Sequence, residues 1–271
     1  MQVHREDIVA AAQDVGIAPG DTVMFHSSLS SMGTVVGGPD TVIDGFLEAV
    51  GPEGTVAVPT LWWHQADPPL RIEDWDPETS PSYPGRITEV FRQRPESVRS
   101  NNPTHSVSAI GARAADLTGN HGKAGLRACV FGDRAFARES PWERLYQWNA
   151  AYCFIGVNFT VNTMSHYIES VLVESVIKQA PRPRRAELTA QIQRWEKPGL
   201  WPWYDRPGMQ DRLAEMGLVR FSKIGSATLR CIRARDMVDN ILAILNAEAE
   251  QWLTPDFQAW LMAARGKEAA P

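Results

Sequence analysis

The chain has 271 residues, 44% of them apolar, enough for a real core in one large domain or two modest ones. Its 27 basic and 32 acidic side chains leave a net charge of −5. That balance offers no basic footprint for nucleic acid or an anionic membrane surface, and it would suit a cationic small molecule. The three cysteines, Cys129, Cys153 and Cys231, are odd in number and lack metal-ligand spacing. The first residues carry no apolar signal region, and no apolar run approaches the length of a membrane span. A reducing cytoplasm is the expected address.

Residues 4–15 predict a helix with Ile8, Ala11, Ala12 and Val15 on one face and Gly16 as its stop. Pro19-Gly20-Asp21 turns into a strand over 22–25, followed by His26-Ser27-Ser28-Leu29. Gly38-Pro39-Asp40 opens a second helix, with Val42, Ile43, Phe46, Leu47 and Val50 as its apolar stripe. Residues 55–58 predict another strand, stopped by Pro59-Thr60. This strand, helix, strand rhythm argues for an α/β domain. Residues 62–85 break it with tryptophans, prolines and acids, a long irregular stretch of the kind that carries function or moves. A helix follows over 86–94, a strand over 107–110, a loop over 119–132, and a helix from Ser140-Pro141 to about 148. Residues 181–207 have no clean period, and two helical stretches, 235–247 and 256–265, end the chain. No repeat and no linker stands out, so one domain over 1–271 is the economical reading.

The segment from Tyr152 to Glu169 concentrates the chemistry. A short apolar run over 152–157 reads as a buried strand, with Cys153 a small core residue. A polar loop and a helix starting near Asn162 or Thr163 come next. His166 and Glu169 are three apart and share a helix face just beyond a strand end, where open α/β sheets place ligands. An imidazole there can move protons near neutral pH.

Other residues carry two readings each. His26-Ser27-Ser28 is a polar turn or a cradle for phosphate. Ser140-Pro141 is a helix cap or a cofactor contact. His105 is a structural histidine, a second proton-transfer group or a pocket donor. Glu89 is a solvated helix residue or an orienter of an imidazole. Trp63, Asp67, Asp74 and Asp76 form a surface loop or a site for a cationic, hydroxyl-rich ligand. A metal pair at His166 and Glu169 lacks a third ligand of matching spacing, and no Gly-x-Ser-x-Gly elbow supports a serine hydrolase.

Several marks fall in one order: Gly20-Asp21, His26-Ser27-Ser28-Leu29-Ser30, Gly37-Gly38, Pro59-Thr60, Asp76-Pro77-Glu78-Thr79-Ser80-Pro81, Arg99-Ser100-Asn101-Asn102-Pro103, Ser140-Pro141, and Thr163-Met164-Ser165-His166-Tyr167-Ile168-Glu169. This ordered set, over residues 8–170, resembles the aminoglycoside 3-N-acetyltransferase (antibiotic N-acetyltransferase) family. The resemblance implies a mixed central sheet flanked by helices, distinct from the GNAT acetyltransferases. It implies metal-free acetyl transfer from acetyl-CoA to a small-molecule amine, an aminoglycoside first, and a role in antibiotic resistance. His166 would be the general base and Glu89 its orienting partner, leaving Glu169 to the pocket. His26, Ser27, Ser28, Leu29, Ser140 and Pro141 would line the CoA site. Ser106 would be a donor to the thioester oxygen. Trp63, Asp67, Asp74, Asp76 and His105 are the candidates for meeting the acceptor on their own chemistry, since the aromatic run Leu61-Trp62-Trp63-His64 does not match the family. The chain departs from the family pattern at Asn102, where histidine is usual, and at Asn149, where an acid is expected.

Overall fold

The structure is a computed structural model describing residues 2–194 and 198–266. Its strands are β1 (Gln2–Val3), β2 (Thr22–Ser27), β3 (Thr34–Val35), β4 (Thr55–Pro59), β5 (Val98–Arg99), β6 (Val107–Gly111), β7 (Ala151–Ile155), β8 (Arg220–Ile224) and β9 (Ala227–Arg233). Its helices are α1 (Arg5–Asp14), α2 (Pro39–Val50), α3 (Arg86–Gln93), α4 (Ala114–Thr118), α5 (Pro141–Gln147), α6 (Met164–Gln179), α7 (Arg185–Ile192), α8 (Arg206–Glu215), α9 (Ala234–Ala247), α10 (Ala249–Trp252) and α11 (Pro255–Ala264). A seven-stranded sheet in the order β5-β6-β4-β2-β7-β9-β8 forms the centre. It is mixed: β2 runs parallel to β4 and β7, and the outer pairs are antiparallel.

The central strands are apolar on both faces, as strands covered on both sides must be. Period-two alternation divides them between two cores. Val23, Phe25, Val56, Val58 and Cys153 face the layer of α1, α2 and α3. Met24, Ala57, Tyr152 and Phe154 face the layer built largely from α5, α6, α8, α9 and α11. The α2 crossover carries the chain from β2 to β4 on one side, while β7 lies on the other side of β2. The carboxyl ends of β2, β4 and β7 therefore open at a topological switch point, the place where such sheets hold ligands.

The sequence expectation missed α7 in the 181–207 stretch and α8, which starts at its end, together with the β8–β9 hairpin and the two-residue strands. Residues 195–197 of that stretch lie outside the described residues. The sharp turn after β7 requires glycine. Gly156 has φ 66°, and a Cβ there would stand 1.7 Å from the Ser31 hydroxyl.

Candidate active site

A cleft of about 1030 Å³ occupies the carboxyl end of the sheet. That is at the upper end of the roughly 300–1,000 Å³ common for small-molecule sites. β2 and the turn after it supply His26, Ser27, Ser28, Leu29 and Ser30; β4 supplies Pro59; the start of α3 supplies Gly85 to Thr88. The loop after β7 and the first turn of α6 supply Val157, Asn162, Thr163 and His166. His26 stacks on Phe154 and has its Nε2 2.9 Å from the Tyr152 hydroxyl. Burial drives its pKa down to about 3, so it is a neutral wall of the cleft.

His166 is aimed by the start of α6. The Asn162 carboxamide oxygen accepts from Met164 N at 3.0 Å, tying the loop to the helix's first turn. One turn along, His166 Nδ1 lies 2.9 Å from Glu169 Oε2. A carboxylate only accepts, so Nδ1 carries the proton and Nε2 keeps its lone pair. Glu169 has no solvent exposure. Its Oε2 also accepts from Trp201 Nε1 at 2.7 Å, and its Oε1 from Arg206 Nη2 at 3.2 Å. The imidazole is boxed by Phe131, Trp203, His105 and Phe136, with ring centroids 4.6, 5.5, 5.6 and 6.1 Å away. Burial pushes the His166 pKa below its ordinary value; Glu169 pulls it up in part, and Arg206 pushes it down. The resting ring is neutral at pH 7, as a proton acceptor must be.

Glu89 does not pair with His166, contrary to expectation. Its carboxylate accepts from Ser82 N and Arg92 Nε, both at 2.6 Å, and from Gln93 Nε2 at 2.6 Å. Burial works to raise its pKa, but Arg92 and the Ser82 N–H hold it below the usual carboxylate range. The orienter is Glu169, because one helical turn brings it to Nδ1 directly.

Ser140 and Pro141 are also displaced from the expected site. Both are buried away from the cleft lining, and the Ser140 hydroxyl caps α5 by accepting from Glu143 N. Ser106 is fully buried, with its hydroxyl donating to Thr60 O at 2.7 Å, so it faces no substrate oxygen. His105 lies behind His166, 5% exposed and off the lining, and its Nδ1 is buried without a partner. Trp63, Asp67, Asp74 and Asp76 are exposed but do not line the cleft. The Asp76 carboxylate instead caps its own turn, accepting from Glu78 N at 2.7 Å and Thr79 N at 3.2 Å.

Both departures from the family pattern have local reasons. Asn102 Oδ1 accepts from Thr104 N and His105 N, shaping the turn before β6. Asn149 adopts φ 53°, a left-handed conformation that asparagine tolerates well. The sequence reading missed Trp201, Trp203 and Arg206, which reach the site from an aperiodic segment. Among the described residues, no group of three or more His, Cys, Asp or Glu could hold a metal ion. Among them, too, no helix is long and apolar enough to cross a membrane.

These features define an α/β protein with a cleft at the switch point of a mixed sheet and a carboxylate-held imidazole on its wall. The chain belongs to the family described as aminoglycoside 3-N-acetyltransferase, whose profile matches residues 24–246. It is similar to aminoglycoside N(3)-acetyltransferase VII of Streptomyces paromomycinus, 34% identical over 187 residues, spanning 62% of this chain and 61% of the relative. The match thus covers about three fifths of that relative's length. Among solved structures, aminoglycoside acetyltransferase AAC(3)-Xa superposes with a TM-score of 0.70 at 26% identity, covering 90% of this chain and 93% of that one. AAC-VIa bound to sisomicin gives 0.68 at 25% identity, covering 92% and 99%. The binary complex of AAC-IIIb with CoASH gives 0.67 at 19% identity, covering 92% and 98%, a likeness of fold.

Proposed function

We propose that this protein is an acetyl-CoA-dependent N-acetyltransferase acting on an amine, with the 3-amino group of an aminoglycoside as the first acceptor. The observation that carries the reading is the His166–Glu169 pair at the wall of the cleft, beside the hydroxyl turn after β2. Family membership and the sisomicin and CoASH named with the structural relatives support it. All of residues 1–271 are read as one such domain, working in the cytoplasm and conferring antibiotic resistance. Ser27, Ser28 and Ser30 give the cleft a hydroxyl rim suited to the polar groups of acetyl-CoA.

In this mechanism His166 Nε2 takes a proton from the acceptor nitrogen. The freed lone pair attacks the thioester carbonyl carbon. That attack forms the carbon–nitrogen bond; the adduct nitrogen gives its second proton to solvent, collapse breaks the carbon–sulfur bond, and the thiolate leaves with the proton that His166 held. Glu169 stabilises the transient imidazolium through Nδ1–H. Arg86 and Arg206 on the cleft lining favour, as a second reading, the same chemistry on a biosynthetic amine of lower positive charge.

The test is thiol release from acetyl-CoA across aminoglycosides and biosynthetic amines, with mass spectrometry of the acceptor. The reading predicts release matched by one added acetyl group. CoA binding without release for any amine would leave a CoA-binding protein instead.

A further inference from the structure

Arg206 comes from the segment that the sequence left unread, and its placement is unusual. It is the first residue of α8, beside its N-cap Asp205. α8 is fastened to the loop after β7, where Gln210 Oε1 accepts from Phe159 N at 3.3 Å. From there Arg206 Nη2 reaches Glu169 Oε1 at 3.2 Å, while lying 3.2 Å from His166 Nδ1 and 3.4 Å from Nε2. Near-equal distances to both ring nitrogens fix its position. In the ring plane, such a point would overlap Cε1. Nη2 therefore lies over the face of the imidazole rather than on a lone pair. Nδ1 already donates to Glu169, so no true hydrogen bond runs between Nη2 and Nδ1.

We infer that Arg206 is a positioning residue of this site, its guanidinium held against the His166 ring through Nη2 and anchored to Glu169 so that the ring plane is fixed and Nε2 stays open to the cleft. The inference rests on the proposed transferase reading. One guanidinium nitrogen here meets the ring and the carboxylate together, a placement set by the rigid fork that a flexible ammonium does not reproduce. Phe131 and Trp203 press edgewise on the ring, so the guanidinium completes the restraint. The cation also opposes protonation of the imidazole before substrate arrives and favours release of the proton afterwards. The groups facing His166 are Glu169 on its own helix, Arg206 on α8 and His105 ahead of β6, which burial holds neutral. Among the described residues, Arg206 is thus the one fixed cation facing the ring.

The test compares Arg206→Met and Arg206→Lys with the wild type. With an amine that the wild type acetylates, Arg206→Met is expected to lower kcat on the order of tenfold or more. It should leave KM for acetyl-CoA near the wild-type value and move the acid limb of kcat/KM to higher pH. Arg206→Lys should keep the wild-type pH profile but not recover kcat. NMR titration of the His166 ring in the resting proteins gives a readout independent of turnover, with an upward shift expected in Arg206→Met. If Arg206→Met is poorly folded, Arg206→Gln carries the same expectations. An unchanged His166 titration, or lower stability with wild-type kcat and pH profile, overturns the inference. A wild type that acetylates no amine would refute the transferase reading, while the titration would still decide the role of Arg206.

Discussion

Replacing Glu169 with glutamine exchanges one oxygen for an NH2 group and separates the structure's assignment from the sequence-based one. In the wild type the buried carboxylate receives Trp201 Nε1 at 2.7 Å, His166 Nδ1 at 2.9 Å and Arg206 Nη2 at 3.2 Å. A glutamine can turn its oxygen toward Trp201 and His166, but its amide nitrogen then faces the Arg206 donor. One charge-assisted bond, worth about 1.5–3 kcal/mol, is lost, and a guanidinium with 17% exposure is left without its counter-charge. A stability loss of about 2–5 kcal/mol is expected. Catalysis should suffer more than stability, because the anion that supports the imidazolium is gone: kcat for acetyl transfer should fall about 10²- to 10⁴-fold. Glu89→Gln is the control. Its partners, Ser82, Arg92 and Gln93, belong to the α3 region, so it should cost about 1–3 kcal/mol and leave kcat within about threefold. Initial rates of thiol release at saturating substrates, with denaturant midpoints for each variant, measure both quantities. Equal losses of kcat in folded Glu89→Gln and Glu169→Gln, or full activity in Glu169→Gln, would refute the assignment.

Other expectations follow from the same geometry. His26, His105, His121 and His166 are held neutral, chiefly by burial, His26 down to about 3 and His121 to about 4. Between pH 6.5 and 4.5 the unfolded chain therefore binds more protons than the fold. Stability should fall as pH drops through that window, by up to about 1.4 kcal/mol per pH unit for each histidine, and stay level above it. A denaturant midpoint independent of pH across that window would contradict the burial argument. Gly156→Ala places a Cβ against Ser31 at φ 66°, so it should lower the thermal midpoint, and Ser31→Gly in the same chain should recover part of the loss. Ser28→Ala should raise KM for acetyl-CoA, whereas Ser140→Ala should cost about 1 kcal/mol of stability through its lost cap and leave KM unchanged. The reverse pattern would restore the helix cap to the cofactor site.

What the sequence revealed, and what it hid, has a physical basis. The buried parallel strands were legible as short continuous apolar runs bounded by turn residues, and α2 by its apolar stripe at helical period. Their short connections put the hydroxyl turn and His166 at one sheet end. The spacing of His166 and Glu169 already specified a shared helix face. The preference for Glu89 came from family resemblance, and the structure ties Glu89 to Arg92 instead. The β8–β9 hairpin was missed because its strands mix arginine and lysine with apolar residues, although Gly225-Ser226 between Ile224 and Ala227 is a two-residue turn signal. Trp201, Trp203 and Arg206 were hidden for a different reason. They act by long-range contact across 32 to 40 residues from a segment without regular period. Only their shared approach to Glu169 and His166 makes them a group.

The most direct measurement is thiol release from acetyl-CoA by His166→Ala, in parallel with CoA binding by calorimetry. The account predicts that transfer to an amine accepted by the wild type is abolished while CoA affinity stays close to the wild-type value. Turnover by a folded His166→Ala at the wild-type rate would contradict the claim that this imidazole receives the acceptor's proton.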